Sequence, residues 1–469
     1  MFDYVVIGGG VVGVAVFNKL VLSGLNCALI EKEQDLATGC SKANTGLIHA
    51  GFDAMPGTLK ARLNVQGAKM FPRVCSRLGI KYKKTGAIVV GDNLEKINEL
   101  YQRGKTNGVK KLKILNKKQT QKLCPNIKNH CEYALFAPTA GVVSPYLLTI
   151  ALCEEAVING GKVFLDYNIE KIEKEQTFKI FGKEIVESKN IINASGFGFN
   201  EVSRLIGTEI YDLKFRRGQY YVLDKEEDKF VNLSVFPLPT SLGKGIVASP
   251  TIDGNVLLGP TADEGENNTA VTDLGLEQIR KNIEDMFGYF PKAKAIREFS
   301  GVRCSCGEDF KIEKSKLVDG VINIVGINSP GLTASLAIAE YVLGFCGGIN
   351  PIRAKKRTPY INMSDLTKKQ KNKLIKRNED FGKIICRCEK ISLGEIKQVL
   401  ASPISPTTLD GIKRRIRAGM GRCQGSFCAS RILQILSSFH QTRITNICKE
   451  KTGSKVVPYE VKQYGGQDE

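Results

Sequence analysis

The sequence contains no tryptophan and only three histidines, so imidazole chemistry has few possible sources. It also lacks an apolar run long enough to cross a bilayer, which takes about 20 residues. The best candidate, residues 331–348, carries Glu340 and is predicted to contain a buried helix. No basic segment precedes the first apolar run, so we expect no secretory signal peptide and a cytoplasmic location.

Signatures of disorder and of disulfide-rich secreted proteins are missing as well. The 469 residues are 42% hydrophobic and 25% charged, which is typical of globular proteins and not of disordered chains. The 14 cysteines would suit a disulfide framework only in a short secreted chain. Most of them are therefore predicted to be reduced and to pack as small apolar residues.

Charge is the most unusual quantity in the composition. The formal net charge is +20, a surplus that can attract nucleic acid, anionic lipid or acidic partners. The lysines are spread along the whole chain, and no basic recognition helix interleaved with aromatic residues is evident. We therefore predict no nucleic-acid partner. The charge either reflects a lysine-rich composition without a role or serves peripheral contact with an anionic membrane or an acidic redox partner.

The pattern of apolar segments predicts an α/β fold, with a Rossmann-type domain that contains an inserted antiparallel-sheet domain. Residues 3–31 predict a strand, a turn, a helix and a second strand, whereas residues 211–262 predict short antiparallel strands. A basic stretch at residues 353–382 is interpreted as a solvated linker. Residues 383–440 are predicted to form a small, mainly helical cysteine module, followed by a tail at residues 441–469.

A glycine motif lies where the first predicted strand meets the first helix. Gly8, Gly10 and Gly13 have the GxGxxG spacing of a dinucleotide-binding turn. The first glycine permits the tight turn, the second lets the backbone approach a pyrophosphate, and the third allows close packing of helix on strand. Glu31, at the end of the next strand, is placed to accept hydrogen bonds from ribose hydroxyls. Together these residues predict a dinucleotide cofactor.

Three further segments are rich in small residues. Residues 41–51 and 191–196 contain glycine-bearing turns, and residues 324–333 form a second strand–glycine–helix junction. With residues 301–303, they make residues 1–350 similar to the FAD-dependent oxidoreductases that include D-amino-acid oxidase, glycine oxidase, glycerol-3-phosphate dehydrogenase and L-2-hydroxyglutarate dehydrogenase. The resemblance implies FAD as the cofactor.

The resemblance also assigns residues and domain bounds. The first glycine motif would hold the ADP half of FAD, and the junction at 324–333 would approach the isoalloxazine ring. The implied FAD-binding residues are Gly8, Gly10, Val12, Gly13, Glu31, Lys32, Ser41, Asn44, Thr45, Gly46, Ala194, Gly196, Gly326, Gly331, Leu332 and Thr333. The implied bounds are residues 1–352 for the flavin domain, with FAD-binding parts at about 1–80, 145–205 and 300–350 and a substrate sheet at about 81–144 and 206–299.

Four of the cysteines are regularly spaced near the C-terminus. Cys386 and Cys388 are followed after 34 residues by Cys423 and then by Cys428. Four thiolates suit either a structural zinc ion or an iron–sulfur cluster, and the single residue between the first two is unusual for zinc modules. This module resembles bacterioferritin-associated ferredoxin, which implies a 2Fe-2S cluster, with zinc as the alternative. The same module follows the flavin domain in some glycerol-3-phosphate dehydrogenases.

Two residues are candidates for catalysis. His49 could accept the proton of a substrate hydroxyl while a hydride leaves for the flavin, or it could only orient the flavin. Arg303 matches the family arginine that binds a substrate carboxylate or phosphate, which a planar guanidinium holds through two parallel hydrogen bonds. Most family members have proline after this arginine, where this chain has Cys304. Lys244 and Arg217 are weaker candidates for anion binding, with a solvated surface charge as the alternative.

These residues together predict an FAD-dependent dehydrogenase that oxidises the CH–OH group of a small anionic substrate and passes electrons through the 2Fe-2S cluster to a protein or quinone acceptor. Glycerol 3-phosphate is the first predicted substrate, because a fused ferredoxin-like module accompanies that activity in relatives. L-2-hydroxyglutarate is the second, because residues 48–61 resemble that branch as well. Amine oxidation comes third, and a redox carrier or sensor without enzymatic activity is the hypothesis from a different class.

Overall fold

The structure, a computed structural model, describes residues 1–225, 230–239, 245–265 and 268–459. Its strands are β1 (Phe2–Ile7), β2 (Cys27–Ile30), β3 (Leu47–Ile48), β4 (Tyr82–Lys83), β5 (Ala87–Gly91), β6 (Lys113–Asn116), β7 (Tyr133–Ala137), β8 (Gly141–Val143), β9 (Lys162–Phe164), β10 (Lys171–Lys174), β11 (Phe178–Phe181), β12 (Ile185–Asn193), β13 (Lys214–Leu223), β14 (Ser234–Pro237), β15 (Val247–Pro250), β16 (Val256–Gly259), β17 (Asp263–Glu264), β18 (Ala295–Ser305), β19 (Lys311–Lys314), β20 (Val321–Val325), β21 (Ile384–Cys386) and β22 (Ile391–Ser392). Its helices are α1 (Val11–Leu22), α2 (Leu59–Leu78), α3 (Leu94–Thr106), α4 (Lys117–Leu123), α5 (Pro145–Ile158), α6 (Phe199–Ile206), α7 (Asp273–Phe287), α8 (Gly331–Leu343), α9 (Lys368–Arg377), α10 (Leu393–Leu400), α11 (Leu409–Ile416) and α12 (Ala429–His440). None of the helices within the described ranges combines the length and apolar composition that crossing a bilayer requires.

A mostly parallel sheet forms the centre of the N-terminal region. β9, β2, β1, β12 and β20 lie side by side in parallel, β19 is antiparallel to β20, and β11 joins β10 to the first half of β12. Val6 of β1 belongs to one apolar core, whereas Val5 and Ile7 belong to another, as expected for a strand that is covered on both faces. Helices α1, α5 and α8 pack together over one of these faces. The predicted Rossmann-type fold is confirmed.

A second sheet has the strand order β18-β13-β16-β15-β14-β5-β7-β6, with β17 beside the first half of β13. Helix α7 covers it with the buried residues Ile279, Ile283 and Phe287. Most neighbours are antiparallel, as predicted, but β14 and β5 run in parallel. The parallel pair arises because the sheet joins strands from residues 87–137 to strands from residues 214–305, which no local pattern indicates.

The cysteine module is small and mainly helical, as predicted. β21 and β22 form a hairpin, and α10, α11 and α12 follow it. Ile396, Ile412 and Leu436, one from each helix, form an apolar core together with Cys386 and Cys428. The module therefore has a core of its own.

Most of the basic stretch at residues 353–382 is exposed, but part of it packs against the flavin region. Arg357 is only 5% exposed, and its Nε lies 2.5 Å from a carboxylate oxygen of Glu154 in α5. The same guanidinium donates to the carbonyl of Leu78 at 3.1 Å, and the hydroxyl of Tyr360 donates to the second carboxylate oxygen of Glu154. Further along, the stretch forms α9 behind a capping box. The linker stays a prediction, and the burial of Arg357 within it was missed because the buried partner lies 203 positions away from Arg357.

The first part of the predicted C-terminal tail is also packed. Ile447 and Cys448 are buried, and Ile447 joins the core of the cysteine module. Cys448 forms an isolated β-bridge with Lys455. Residues 441–459 therefore extend the module, and residues 460–469 lie outside the described residues.

Candidate active site

The glycine motif forms the turn between β1 and α1. Gly8 has a φ of +118°, which L side chains rarely adopt, and an added Cβ would lie 2.5 Å from the carbonyl oxygen of Ala194. A Cβ on Gly13 would lie 2.1 Å from the carbonyl oxygen of Gly8. These two glycines are therefore required by the fold itself.

Gly10 differs from the other two glycines of the motif. Among the described residues, an added Cβ would contact only the hydroxyl oxygen of Ser41, at the ordinary distance of 3.4 Å. Gly10 is the N-cap of α1 and has no side chain of its own, so the first turn, which includes Val12, is not capped from that position. A helix N-terminus that is open in this way suits an anion such as a pyrophosphate. The residues present therefore fit the ADP half of FAD.

Glu31 lies beside this turn. Its carboxylate accepts hydrogen bonds from the N–H groups of Gly9 at 2.6 Å and Glu33 at 2.9 Å. Burial raises the pKa of the Glu31 carboxyl above its ordinary value, although both N–H groups act in the opposite direction. The neighbouring Lys32 is exposed. Glu31 thus holds the glycine turn in place, and its contact with a ribose stays a prediction.

The loop that follows Glu31 returns to the same helix N-terminus. The hydroxyl of Ser41 accepts a hydrogen bond from the N–H of Val11 at 2.9 Å. Asn44 then closes a turn: its Oδ1 accepts from the N–H of Gly46 at 2.9 Å, and its Nδ2 donates to the carbonyl of Ser41 at 3.1 Å. Thr45 lies between the two ends of this turn. The predicted cofactor residues of this loop are therefore next to the glycine motif.

The later junctions reach the same edge of the parallel sheet. Ala194 follows β12, and its N–H donates to the carbonyl of Ile7 at 2.9 Å. Gly196 has a φ of +60°, and no atom of the described residues lies within 4 Å of an added Cβ. Gly326 follows β20 with a φ of +70°, and Gly331 begins α8. Because the carboxyl ends of parallel strands meet at one edge, the sheet brings these predicted cofactor residues together.

His49 follows β3 and is held at both of its backbone groups. Its N–H donates to the hydroxyl of Thr333 at 3.0 Å, and its carbonyl accepts from Nδ2 of Asn64 at 3.3 Å. Thr333 is fully buried and follows Leu332 in the first turn of α8, whereas Asn64 lies in α2. The structure therefore places His49 beside the predicted flavin-side junction.

A cavity of about 210 Å³ opens beside His49. Its walls come from the loop after His49, the first turns of α2 and the start of α8, and they include Lys60, Asn64 and Ser329. The ring of His49 also lies 6.1 Å from the ring of Phe236. A cavity of this size, whose walls combine apolar side chains with a few polar groups, suits a small molecule.

Arg303 lies on β18 opposite Arg216 of β13, and its Nη2 donates to the carbonyl of Thr261 at 3.0 Å. The side chain is half-buried. Within the described chain Arg303 does not line the cavity beside His49. The thiol of Cys40, however, donates to the carbonyl of Val302, so β18 contacts the segment that leads to His49.

The weaker candidates for anion binding are placed differently. Arg217 is engaged within its own sheet: its Nε lies 3.2 Å from a carboxylate oxygen of Asp263, and its Nη1 donates to the carbonyl of Ala270 at 3.1 Å. Its role as an anion ligand stays a prediction, and Lys244 lies outside the described residues. Cys304, which replaces the proline of the family pattern, is buried.

The four cysteines of the C-terminal module come together in two pairs. The sulfurs of Cys388 and Cys423 are 3.5 Å apart, and Cys386 is within hydrogen-bonding contact of Cys428. In the part of the chain that the structure describes, no three Cys, His, Asp or Glu side chains converge as ligands of one metal ion. Two pairs of thiolates suit a cluster with two iron atoms, each of which takes two cysteines.

An arginine that sequence reasoning missed fixes this module to the second sheet. Arg417 lies 2.9 Å from a carboxylate oxygen of Asp253 and 2.8 Å from Oδ1 of Asn255, in the turn between β15 and β16. Its Nε also contacts Glu389, which directly follows Cys388. No signal in the sequence distinguishes Arg417 from its many basic neighbours.

Asn64 was missed as well, although its position carries a signal. In α2 it lies on the same face as Ala61 and Phe71, which are buried, at spacings of three and seven residues. A polar residue within an apolar stripe has to find a hydrogen-bonding partner, and here that partner is the carbonyl of His49.

Comparisons with known proteins agree with this geometry. Residues 3–343 match the FAD dependent oxidoreductase family, and residues 384–438 match the BFD-like 2Fe-2S binding domain. A glycerol 3-phosphate dehydrogenase from Caloramator mitchellensis is 38% identical over 471 residues, covering 97% of this chain and 98% of that protein. A mitochondrial L-2-hydroxyglutarate dehydrogenase from Caenorhabditis briggsae is 29% identical, covering 73% of this chain and 92% of that protein. The FAD-bound structure of dithionite-reduced L-alpha-glycerophosphate oxidase from Mycoplasma pneumoniae is similar with a TM-score of 0.73 and 28% identity, covering 77% of this chain and 99% of that chain.

The glycine turn and the paired cysteines fit the cofactors that these families are named for. The match at residues 384–438 decides the open choice between zinc and iron–sulfur in favour of a 2Fe-2S cluster. The chain therefore belongs to the FAD-dependent oxidoreductase family, with FAD in its N-terminal region and a BFD-like 2Fe-2S domain at its C-terminal end.

Proposed function

We propose that this protein is a dehydrogenase that oxidises glycerol 3-phosphate to dihydroxyacetone phosphate. The observation that carries the proposal is similarity over the whole chain, because the Caloramator relative named for this activity covers both the flavin region and the cysteine module. The relative named for L-2-hydroxyglutarate covers 73% of the chain. We infer that the substrate follows the relative that shares both redox sites.

The side chains around the cavity support this reaction. FAD, when bound, accepts a hydride from a carbon that carries a hydroxyl group, and the 2Fe-2S cluster carries single electrons. His49 takes the hydroxyl proton, since a neutral imidazole is a suitable base near neutral pH. Its fixed backbone and the adjoining cavity of about 210 Å³ favour this role.

Arg303 binds the phosphate of the substrate in this proposal. Its guanidinium is always charged, and the hydrogen bond from Nη2 to the carbonyl of Thr261 fixes the plane of the fork. A guanidinium that is already held in place loses less conformational freedom on binding an anion than the ammonium group of a mobile lysine does. The cationic groups of this chain therefore favour an anionic substrate over a neutral alcohol.

The exit of electrons is proposed at the exposed side of the cysteine module. Cys388 is exposed and Cys423 is partly exposed, whereas Cys386 and Cys428 are buried. Phe427, which precedes the last of these, is 77% exposed. One pair of ligands thus faces solvent next to an aromatic side chain, where a protein acceptor can approach it.

The charge around this exit favours an acidic acceptor. Arg387, Lys390 and Arg431 are exposed near the cysteines, whereas Glu389 is engaged by Arg417 and Lys225. Complementary charge steers association and speeds encounter. We propose an acidic redox protein in the cytoplasm as the partner, and an anionic membrane surface that supplies a quinone as the second candidate.

The test is the absorbance of the purified flavin under anaerobic conditions. Glycerol 3-phosphate should bleach the flavin band within one turnover, and neutral glycerol at the same concentration should not, because it lacks the phosphate that Arg303 binds. Bleaching by L-2-hydroxyglutarate and not by glycerol 3-phosphate would overturn the proposed substrate. If glycerol 3-phosphate, L-2-hydroxyglutarate and amino acids all fail to bleach the flavin, the result would instead support a redox carrier.

The runner-up substrate, L-2-hydroxyglutarate, has one specific observation in its favour. The loop after His49, together with the start of α2, resembles both branches of the family, and this segment lines the cavity. The bleaching experiment compares the two anions directly, so the same measurement decides between them.

A further inference from the structure

The cysteine module contacts the FAD-binding region through a buried ion triad. Asp35 is fully buried in the loop between Glu31 and Ser41. Arg415 donates to both of its carboxylate oxygens, at 2.8 and 2.9 Å, and Arg414 donates to Oδ2 at 2.7 Å. Both arginines belong to α11 and are 3% exposed. We call these three side chains the Asp35 triad.

A second contact joins the same two regions. Glu450 accepts a hydrogen bond from Nη1 of Arg414 at 2.7 Å and forms an ion pair with Lys42. Lys42 directly follows Ser41, whose hydroxyl holds the N-terminus of α1. The C-terminal module therefore contacts the loop at two places, Asp35 and Lys42, and most of the loop lies between them.

The loop itself needs support from outside. Ala37 has a φ of +58°, a left-handed conformation that is unfavourable for a residue with a Cβ. Its N–H donates to the carbonyl of Gly9 at 3.0 Å, within the glycine turn. Such a conformation persists only when surrounding contacts determine it. Asp35 lies two residues before Ala37 and provides such a contact.

The carboxyl group of Asp35 stays charged in the triad and therefore depends on its two arginine partners. Burial raises the pKa of its carboxyl, but Arg415 and Arg414 outweigh burial and hold the pKa below its ordinary value. The carboxylate therefore stays charged in the folded protein. If the arginines withdrew, a buried charge would be left without a partner, and the loop would have to move to rehydrate it.

We propose that the cysteine module has a second role besides electron transfer: α11, through the Asp35 triad, keeps the loop at residues 31–42 in its FAD-binding conformation. FAD retention then depends on the docking of the module and not only on residues of the flavin region. This proposal rests on FAD binding and holds whichever substrate is oxidised.

The test measures the dissociation constant of FAD in the full-length protein after removal of the flavin, by quenching of FAD fluorescence. Asp35→Asn should weaken FAD binding by about tenfold or more, because the amide cannot pair with two arginines. The matched control is Asp253→Asn, which makes the same chemical change at an acid of the second sheet that also contacts the module, through Arg417. It should leave the dissociation constant within about twofold of the wild type.

Two further measurements separate a positioning role from a folding defect. Asp35→Asn should keep its iron content, and saturating FAD should restore its kcat, since the loop closes again when the cofactor is in excess. Arg414→Gln, which leaves the two bonds between Arg415 and Asp35, should weaken FAD binding by about threefold. Equal FAD affinity in Asp35→Asn and the wild type, or equal weakening in Asp35→Asn and Asp253→Asn, would overturn the proposal. If Asp35→Asn does not fold, unchanged FAD affinity in Arg414→Gln overturns it.

Discussion

The backbone N–H of His49 donates a hydrogen bond to the hydroxyl of Thr333, which lies 284 positions later in the chain. The same hydroxyl contacts the carbonyl of Leu47 at 3.4 Å. One buried hydroxyl therefore connects β3 to the first turn of α8. It sets where the candidate proton acceptor stands relative to the junction that is predicted to approach the flavin.

This connection predicts a specific effect of Thr333→Val. The substitution keeps the volume of the side chain but leaves the N–H of His49 without its acceptor, which costs about 1–3 kcal/mol. We expect a lower Tm and, in the FAD-saturated protein, a reduced kcat. Thr333→Ser retains the hydroxyl and should resemble the wild type in kcat. Equal kcat values for the two variants would show that this hydrogen bond does not position His49.

His49→Gln should lower kcat by about two to four orders of magnitude, because glutamine cannot take a proton from the substrate. The FAD content should stay normal if the histidine acts on the substrate. His130→Gln is the matched control, since His130 is exposed and pairs with Asp92 and Asp285 on the surface. A variant of His49 that loses FAD but keeps its kcat when FAD is added would assign the residue to flavin orientation instead.

Gly10→Val should abolish FAD retention without unfolding the protein. A Cβ at this position meets only Ser41 at 3.4 Å among the described residues, so the fold tolerates it, whereas the larger side chain covers the helix N-terminus. The yellow colour of the purified protein and its thermal unfolding provide the two readouts. Gly347→Val is the control, because an added Cβ there has no atom within 4 Å in the part of the chain that the structure describes. A fully yellow Gly10→Val protein would contradict the placement of the pyrophosphate.

Arg303→Lys should lower kcat/KM by about one and a half to three and a half orders of magnitude, which corresponds to ~2–5 kcal/mol for a lost charge-assisted contact. An ammonium cannot reproduce the two-point contact of the guanidinium with a phosphate. The loss should be large for anionic substrates and small for neutral alcohols, and flavin content should not change. Equal losses for both kinds of substrate would indicate that Arg303 only supports the hydrogen bond to Thr261.

Cys423→Ser should remove the 2Fe-2S cluster and leave the flavin bound. The substrate should still bleach the flavin, but reduction of a one-electron protein acceptor should stall, because the cluster is the proposed exit. Cys346→Ser is the control, since Cys346 is partly exposed and lies in the flavin region. Iron and labile sulfide report the loss of the cluster directly. Full turnover with the protein acceptor in an iron-free variant would rule out this route.

The parts of the fold that could be predicted from the sequence depend on short-range signals. Gly8 and Gly13 are both constrained by contacts within the first turn and at the end of β12, and their spacing alone indicates that geometry. The four cysteines of the C-terminal module could also be recognised from their spacing. The first two are two positions apart, and the last two are five positions apart. The short apolar strands β1 and β20 were recognisable for the same reason.

The parts that could not be predicted depend on partners far away in the chain. The charge of Arg357 indicates a solvated position, and only the buried Glu154 of another helix explains why it is not solvated. The contact of Arg217 with Asp263 depends on the fold in the same way, because the two residues are 46 positions apart in the chain. In each case the basic residue is visible in the sequence, whereas the acid that neutralises it is selected by the tertiary fold.

The Asp35 triad also has a consequence for how the protein is made. Asp35 and Arg415 are 380 positions apart, so the acid leaves the ribosome long before its partner does. Domains generally begin to fold from the N-terminal end during synthesis, and this loop then stays hydrated until α11 has been produced. If the triad holds the loop as proposed, a chain that still lacks α11 binds FAD more weakly than the finished protein does. Firm retention of FAD would then coincide with the synthesis and docking of the electron-transfer module.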